Sequence, residues 1–372
     1  MASVACGARD TRVEIAQRSD RNVLLVTVDT LRADALGTDG GPARTPHLDR
    51  LADAGIRFSF AHAHAVVTLP AHASILTGRY PYEHGYRDNA GFRLTPGTDT
   101  LASRLKAAGF ATGAFIAAFP LDARFGLTPG FDVYDGRFDE TAGGELLLPQ
   151  RPGPAVVDRA RAWIEARRDR WFAWVHVYEP HAPYTPPAPF DREYAGQPYY
   201  GEVAAADAAL GPLLDAVRHS PRPTLVVVTG DHGEALGEHG EATHGLFAYE
   251  PTLRVPLIIA EIDADRRAEA LRHNSAGRNV AQPFRAAGPR GEVSSAAAFH
   301  VDILPTILDA VNLPLPAGLP GRSLRTAAAR DDATPRSSYF EAMSPALEYG
   351  WAPLTGVVVG REKYIELPLP EL

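Results

Sequence analysis

The longest near-continuous apolar runs in this chain are short, and two of them end in acidic residues. Residues 22–30 (NVLLVTVDT) and 224–229 (TLVVVT) have the length and lack of alternation expected of strands buried on both faces. The same signal predicts strands at 111–116, 171–177 and 253–260. Helical spacing predicts helices over 46–55, 70–78, 100–109, 155–168, 203–217 and 301–313. Pro70 falls in the first turn of its helix, and Gly78 just past its end. Strands that alternate with helices predict an α/β fold, with a central, mostly parallel sheet flanked by helices. Residues 126–148, rich in Gly, Asp and Pro, predict a long loop, and the polar stretch 263–292 a surface excursion. From residue 337 the pattern changes to short strands at 338–342, 354–360 and 363–366, as in a small antiparallel subdomain. The chain thus divides into a flexible tail or leader remnant (1–21), a main domain (22–330) and the start of a C-terminal subdomain (331–372).

Composition narrows the function classes. The 372 residues are 45% hydrophobic and 22% charged, as in a globular protein, with a formal net charge of −8. That charge, with no basic stripe, argues against a nucleic-acid partner. No apolar run approaches the ~20 residues of a transmembrane helix. An anionic ligand would have to be held by a local metal and local His or Arg groups. Cys6 is the sole cysteine, so neither an internal disulfide nor a catalytic thiol in the body of the chain is expected. Residues 3–7 (SVACG) resemble the end of a bacterial lipoprotein leader, although the plainer reading is a disordered tail. The expected location is cytoplasmic as the chain stands, or periplasmic or lipid-anchored if an upstream leader ending at Cys6 has been lost. Oligomeric state is not legible.

The candidate chemistry sits where strands end. Asp29 closes the first run, and the second continues into Thr229-Gly230-Asp231-His232-Gly233-Glu234. Ligands of open α/β sheets bind beyond the carboxyl ends of strands. Two carboxylates and an imidazole there suit a divalent cation. Thr68, in Val66-Val67-Thr68-Leu69-Pro70-Ala71-His72, precedes a predicted helix whose free N–H groups favour anionic oxygen. Taken alone, Thr68 reads as an N-cap. Beside a metal, its hydroxyl becomes a candidate nucleophile. His72 follows four residues later on the same helical face.

Together these segments resemble the sulfatase-like hydrolases of the alkaline-phosphatase superfamily. The resemblance rests on Val28-Asp29-Thr30-Leu31-Arg32-Ala33-Asp34, the Thr68 segment with Leu76-Thr77-Gly78-Arg79-Tyr80-Pro81, and Pro180-His181-Ala182-Pro183-Tyr184. Gly230-Asp231-His232-Gly233-Glu234, Gly237-Glu238-His239-Gly240 and Leu253-Arg254-Val255-Pro256-Leu257-Ile258 complete it. It implies one divalent metal ion bound by Asp29, Asp231 and His232, with Thr68 completing the shell. The imidazole favours Mn2+ or Zn2+ over Ca2+ or Mg2+. His181 matches a substrate or leaving-group histidine, and His244 stands where the family has a lysine near the bridging oxygen. His72 replaces an arginine and is expected to support Thr68 or a substrate oxygen. Asn89 matches a substrate-contacting asparagine of the phosphonate monoester hydrolases. His176 and Glu179 are weaker candidates for a second metal, and His239 is weaker still.

Three departures shape the expected function. True sulfatases oxidise a cysteine or serine at the position of Thr68 to formylglycine, and threonine cannot give that aldehyde. The Lys-x-His pair expected after the strand at 111–116 is replaced by Ala117 and Phe119, which leaves a more apolar wall. The family's C-terminal subdomain normally continues past Pro368-Leu369-Pro370-Glu371-Leu372. The favoured expectation is a metal-dependent hydrolase of a phosphate or phosphonate ester, a diester by preference, working through a covalent Thr68 intermediate on a small anionic substrate. The alternatives are a sulfuric ester hydrolase, a phosphoglycerol or phosphoethanolamine transferase, and a non-catalytic binding protein on the same fold.

Overall fold

Apolar runs that need cover on both faces occupy the middle of a sheet. The computed structural model describes residues 14–94, 97–138, 149–263, 291–325 and 335–366. Its strands are β1 (Asn22–Val28), β2 (Ile56–His62), β3 (Ala111–Phe115), β4 (Val133–Asp135), β5 (Trp171–Val177), β6 (Thr224–Gly230), β7 (Leu257–Ile262), β8 (Glu292–Phe299), β9 (Ser337–Ala342), β10 (Leu354–Val359) and β11 (Glu362–Glu366). The main helices are α1 (Pro46–Ala54), α2 (Thr68–Thr77), α3 (Leu101–Ala107), α4 (Gly153–Glu165), α5 (Pro198–Arg218), α6 (Ile303–Ala310) and α7 (Ser344–Tyr349).

The central sheet has eight strands in the order β4-β3-β5-β1-β6-β7-β2-β8. Neighbours are parallel except around β7, which runs antiparallel to both β6 and β2. Every residue of β1, β5 and β6 is buried. Alternate side chains serve two cores. Val23 and Leu25 of β1 join Leu69, Leu105 and Ile307 from α2, α3 and α6 on one face. Leu24 and Val26 join Leu51, Val156 and Val203 from α1, α4 and α5 on the other. No helix among the described residues is long and apolar enough to cross a membrane.

Strands β11-β10-β9 form a separate antiparallel sheet, as the sequence pattern predicts. It is stitched to the loop ahead of α2: Ala65 bridges Glu341, and Glu341 N–H donates to His64 O at 2.9 Å. That loop carries Thr68, so the small sheet buttresses the candidate nucleophile.

Several boundaries differ from the pattern. Nothing in it announces β2, β4 or β8. Strand β4 interrupts the predicted loop at 126–148, of which residues 139–148 lie outside the described residues. Most of the predicted excursion at 263–292 also lies outside them, and Glu292 opens β8. Helix α2 begins at Thr68, two residues before Pro70, and α5 begins at Pro198 instead of residue 203. Strand β7 starts at Leu257 because Glu250–Leu253 winds into a helical turn. Of the predicted tail, Ile15 is buried in the core and Arg18 N–H donates to Ala310 O at 2.8 Å.

Buried histidines hold this framework in their neutral form. His64 donates from Nδ1 to Tyr339 O (2.7 Å) and accepts Val301 N–H at Nε2 (3.2 Å), so its ring has no room for a second proton. Burial lowers the pKa values of His64 and His84 to about 3. Unfolded imidazoles bind protons below about 6.5, while these stay neutral until about 3. Over that interval the unfolded state binds more protons, so stability falls as pH drops. The urea midpoint should decline steadily below about pH 6.5, and His64→Gln should show a shallower decline. Equal slopes would contradict a neutral, structural His64.

Candidate active site

Strands β1 and β6 are direct partners, with Val28 opposite Gly230. The residues that follow them, Asp29 and Asp231, therefore emerge side by side, and both are fully buried. Asp231 Oδ1 accepts Thr30 N–H (3.1 Å) and His232 N–H (2.8 Å), which turns its other oxygen inward. His232 Nδ1–H donates to Gly233 O at 3.0 Å, so Nε2 is the free nitrogen. His232 Nε2 lies 3.7 Å from Asp29 Oδ1 and 3.6 Å from Asp231 Oδ2. Asp29, Asp231 and His232 each offer one ligand atom within 4.8 Å of the others.

Backbone strain marks the same spot. Thr30 adopts φ 50, left-handed for a β-branched residue. Such a conformation costs about 1–3 kcal/mol and persists where the surroundings enforce it. The Thr30 amide is held by Asp231, and its carbonyl accepts Tyr199 O–H at 2.8 Å.

Electrostatics make the arrangement costly without a cation. Burial raises the Asp29 carboxyl, but the facing imidazoles of His176, His181 and His232 outweigh it and hold its pKa below the ordinary range. Burial and the Asp29 charge push Asp231 well above that range. Two carboxylates thus compete for ionisation in a dry site. His232 is kept neutral, with burial and the neighbouring His244 lowering its pKa to about 3, which is the state a metal requires. Asp29 Oδ1 and Oδ2, Asp231 Oδ2 and His232 Nε2 are all buried without a hydrogen-bond partner. Buried polar atoms are rarely left so, and these four fit a divalent cation as donors of the right kind.

Thr68 is the first residue of α2, with Val67 in the capping position, and is 2% exposed. Its carbonyl accepts His72 Nδ1–H at 2.7 Å, and the same nitrogen lies 3.6 Å from Asp231 Oδ2. Thr68 is thereby tied to the carboxylate cluster. His72 Nε2 contacts Thr27 Oγ1 at 2.9 Å, so both ring nitrogens are engaged within the protein and support Thr68 through its backbone. Asn89 Oδ1 accepts Leu69 N–H at 2.8 Å, which satisfies a free amide at the start of α2.

His181 and His244 stand beside the cluster. Their rings lie 5.0 Å apart, and that of His244 lies 4.5 Å from His232. His244 Nδ1 is bonded to the buried Glu234 at 3.1 Å, and its side chain keeps 12% exposure. Burial opposes protonation of His244, but Glu234 outweighs it and raises the pKa. Burial lowers His181. Glu179 is turned away, accepting Gly153 N–H at 3.0 Å, and His239 stacks on Tyr249 with ring centroids 4.0 Å apart. Ala117 is buried, and Phe119 packs against Phe125 and Phe138. Sequence reasoning did not single out Thr27, Trp174 or Glu234. Thr27 carried one signal, as the lone hydroxyl inside the apolar run of β1.

A family description, Sulfatase, matches residues 21–313. The chain belongs to the sulfatase family. It is thus an ester hydrolase of the alkaline-phosphatase superfamily by kind. A sulfatase-family relative, the uncharacterized sulfatase YidJ of Escherichia coli K12, is 26% identical over 377 residues, covering 82% of this chain and 70% of that protein. Among solved structures, BT4656 in complex with its substrate D-glucosamine-2-N,6-O-disulfate aligns with a TM-score of 0.73 at 20% identity, covering 95% of this chain and 90% of that one. The phosphonate monoester hydrolase SpPMH of Silicibacter pomeroyi aligns with a TM-score of 0.71 at 21% identity, covering 93% and 87%. At those identities the two structures establish the fold.

The carboxylate pair makes a testable stability statement for this sulfatase-family chain. Asp231→Asn removes one of two competing charges while keeping an oxygen for both backbone donors. Metal-free Asp231→Asn should unfold at a higher urea midpoint than metal-free wild type, by about 1–3 kcal/mol. Added MnCl2 should raise the midpoint of wild type and leave the variant unmoved. A lower midpoint for the metal-free variant would contradict the repulsion.

Proposed function

We propose that this chain hydrolyses a phosphate or phosphonate ester, a diester by preference, through a covalent intermediate on Thr68. The observation that carries the reading is the identity of residue 68: a threonine at a helix start, tied through His72 to the buried carboxylate pair. Threonine bears a methyl group on Cβ and cannot be oxidised to an aldehyde. It has one hydroxyl, so an ester formed on it must be opened by attack at the central atom. Water attacks phosphorus readily in that way, and the sulfur of a sulfate ester far less so.

The geometry supports the following roles. When bound by Asp29, Asp231, His232 and Thr68, a divalent cation supplies positive charge that lowers the hydroxyl pKa and balances the non-bridging oxygens. His72 fixes the first turn of α2 and so the direction of the Thr68 side chain. The Thr68 oxygen forms a bond to phosphorus as the bond to the leaving oxygen breaks, and His244 or His181 gives that oxygen a proton. Raised by Glu234, His244 is the better proton donor of the two. Water then breaks the phospho-Thr68 bond and regenerates the hydroxyl.

A second reading, hydrolysis of a sulfate ester, is supported by the names of relatives. The Escherichia coli relative is named a sulfatase, and the BT4656 structure holds a disulfated glucosamine. A panel of aryl phosphate monoesters, phosphodiesters, phosphonate monoesters and sulfates separates the two. Phosphorus esters should be turned over fastest, Thr68→Ala should lose at least about 1,000-fold in kcat, and labelled substrate should leave phosphate on Thr68. Fastest turnover of the sulfate would establish the second reading. Near-full activity of Thr68→Ala would end the nucleophile assignment.

A further inference from the structure

The segment that carries His244 owes its shape to one acidic side chain. Residues 241–248 lie outside helix and strand, so their backbone donors need other partners. Glu241 supplies two of them. It is 3% exposed, and its carboxylate accepts Leu246 N–H at Oε1 (2.7 Å) and Phe247 N–H at Oε2 (3.2 Å). Both oxygens of one carboxylate thus close a turn with His244 at its middle. The outgoing side is tied separately: Ala235 N–H donates to Thr243 O at 2.7 Å, and Gly237 N–H to Glu241 O at 2.8 Å. On the return side, Thr252 Oγ1 donates to Phe247 O at 2.8 Å. Thr252 O in turn accepts Gly233 N–H at 2.8 Å, next to His232.

The turn closed in this way reaches the Thr68 segment. Gly245, the residue after His244, has φ 103, and a side-chain carbon built on it would lie 3.6 Å from Val67 Cγ1. Val67 caps α2 immediately before Thr68. The His244 ring is bonded through Nδ1 to Glu234 at 3.1 Å and lies 4.5 Å from the ring of His232. Glu234 sets the rotation of that ring. Where the His244 backbone sits is left to the closure of the turn. A proton donor must come within about 2.6–3.2 Å of the oxygen it serves, and a misplacement of about 1 Å costs on the order of 100-fold. Two bonds from consecutive amides to one carboxylate are short and strong enough to hold such a position.

We propose that Glu241 is a positioning residue for the chemical step: by closing the turn 241–247 it holds His244 at the leaving oxygen of the ester. This rests on the reading of His244 as the proton donor. Glu241 acts only through His244, so its loss harms the reaction where the leaving oxygen needs a proton. The competing role is support of the fold alone, which would harm all substrates alike.

Leaving groups separate the two. Wild type, Glu241→Ala, Glu241→Gln and His244→Ala are assayed on phenylphosphonate and sulfate monoesters, each made with 2,4-dinitrophenol and with phenol. The comparison is drawn within the ester class that wild type turns over faster. Dinitrophenolate departs without a proton, whereas phenolate departs faster with one. Glu241→Ala should lose about 30-fold or more in kcat on the phenyl ester and less than about 3-fold on the dinitrophenyl ester, with KM kept within about 3-fold on both. Glu241→Gln keeps an oxygen for Leu246 N–H and should show the same preference at about 3- to 10-fold. Turnover of the dinitrophenyl ester also shows that each variant is folded, and if the alanine variant does not fold, the glutamine variant decides. Equal losses on both leaving groups, or no loss on either, overturn the positioning role. A selective loss in His244→Ala that is absent from both Glu241 variants overturns this inference alone. Failure of His244→Ala to distinguish the leaving groups overturns the proton-donor reading, and this inference with it.

Discussion

Two carboxylates held side by side in a dry interior are the constraint on which the rest of this protein depends. Asp29 and Asp231 are neighbours because β1 and β6 are the paired central strands of a parallel sheet, and both chains leave at the same edge. Two like charges about 4 Å apart repel by about 4 kcal/mol even at an effective dielectric of 20. A fold does not keep such a pair, plus a left-handed threonine between them, without a return. The surroundings show what the return requires. The imidazole of His232 is locked with a free nitrogen inward, Asp231 has one oxygen saturated and one free, and Thr68 is tied alongside through His72.

Support for the site comes from parts far away in sequence. Asn89 holds the start of α2, and its own N–H donates to Asp88 Oδ1 at 2.7 Å. The same Asp88 oxygen accepts Ser344 O–H at 2.9 Å, at the start of α7. Arg87 pairs with the buried Glu341 of β9. Three consecutive residues thus link the helix that begins at Thr68 to the C-terminal sheet. That sheet therefore braces the segment that carries Thr68.

The legible parts of the sequence are those where local pattern and tertiary role coincide. β1, β5 and β6 are central and buried on both faces, so their composition alone marks them, and the acidic residues at the ends of β1 and β6 follow. β2 and β8 carry mixed burial, and β8 contains Ser-Ser-Ala-Ala-Ala, which has little strand propensity. β4 is a three-residue edge strand inside a Gly- and Asp-rich stretch. At the site, the convergence of Asp29, Asp231 and His232 was readable because each belongs to a recognisable segment. The direction of His72 was not: its two nitrogens are fixed by Thr68 and Thr27, and the second partner is 45 residues away. The Thr27, Trp174 and His176 contacts arise only when β1 and β5 pair, and no local spacing encodes them.

Anomalous diffraction from crystals grown with MnCl2 tests the central claim most directly. A peak bounded by Asp29, Asp231 and His232, with the Thr68 side chain against it, is the predicted result. Carboxylates that hold only a shared proton, with the manganese signal elsewhere or absent, would contradict the account.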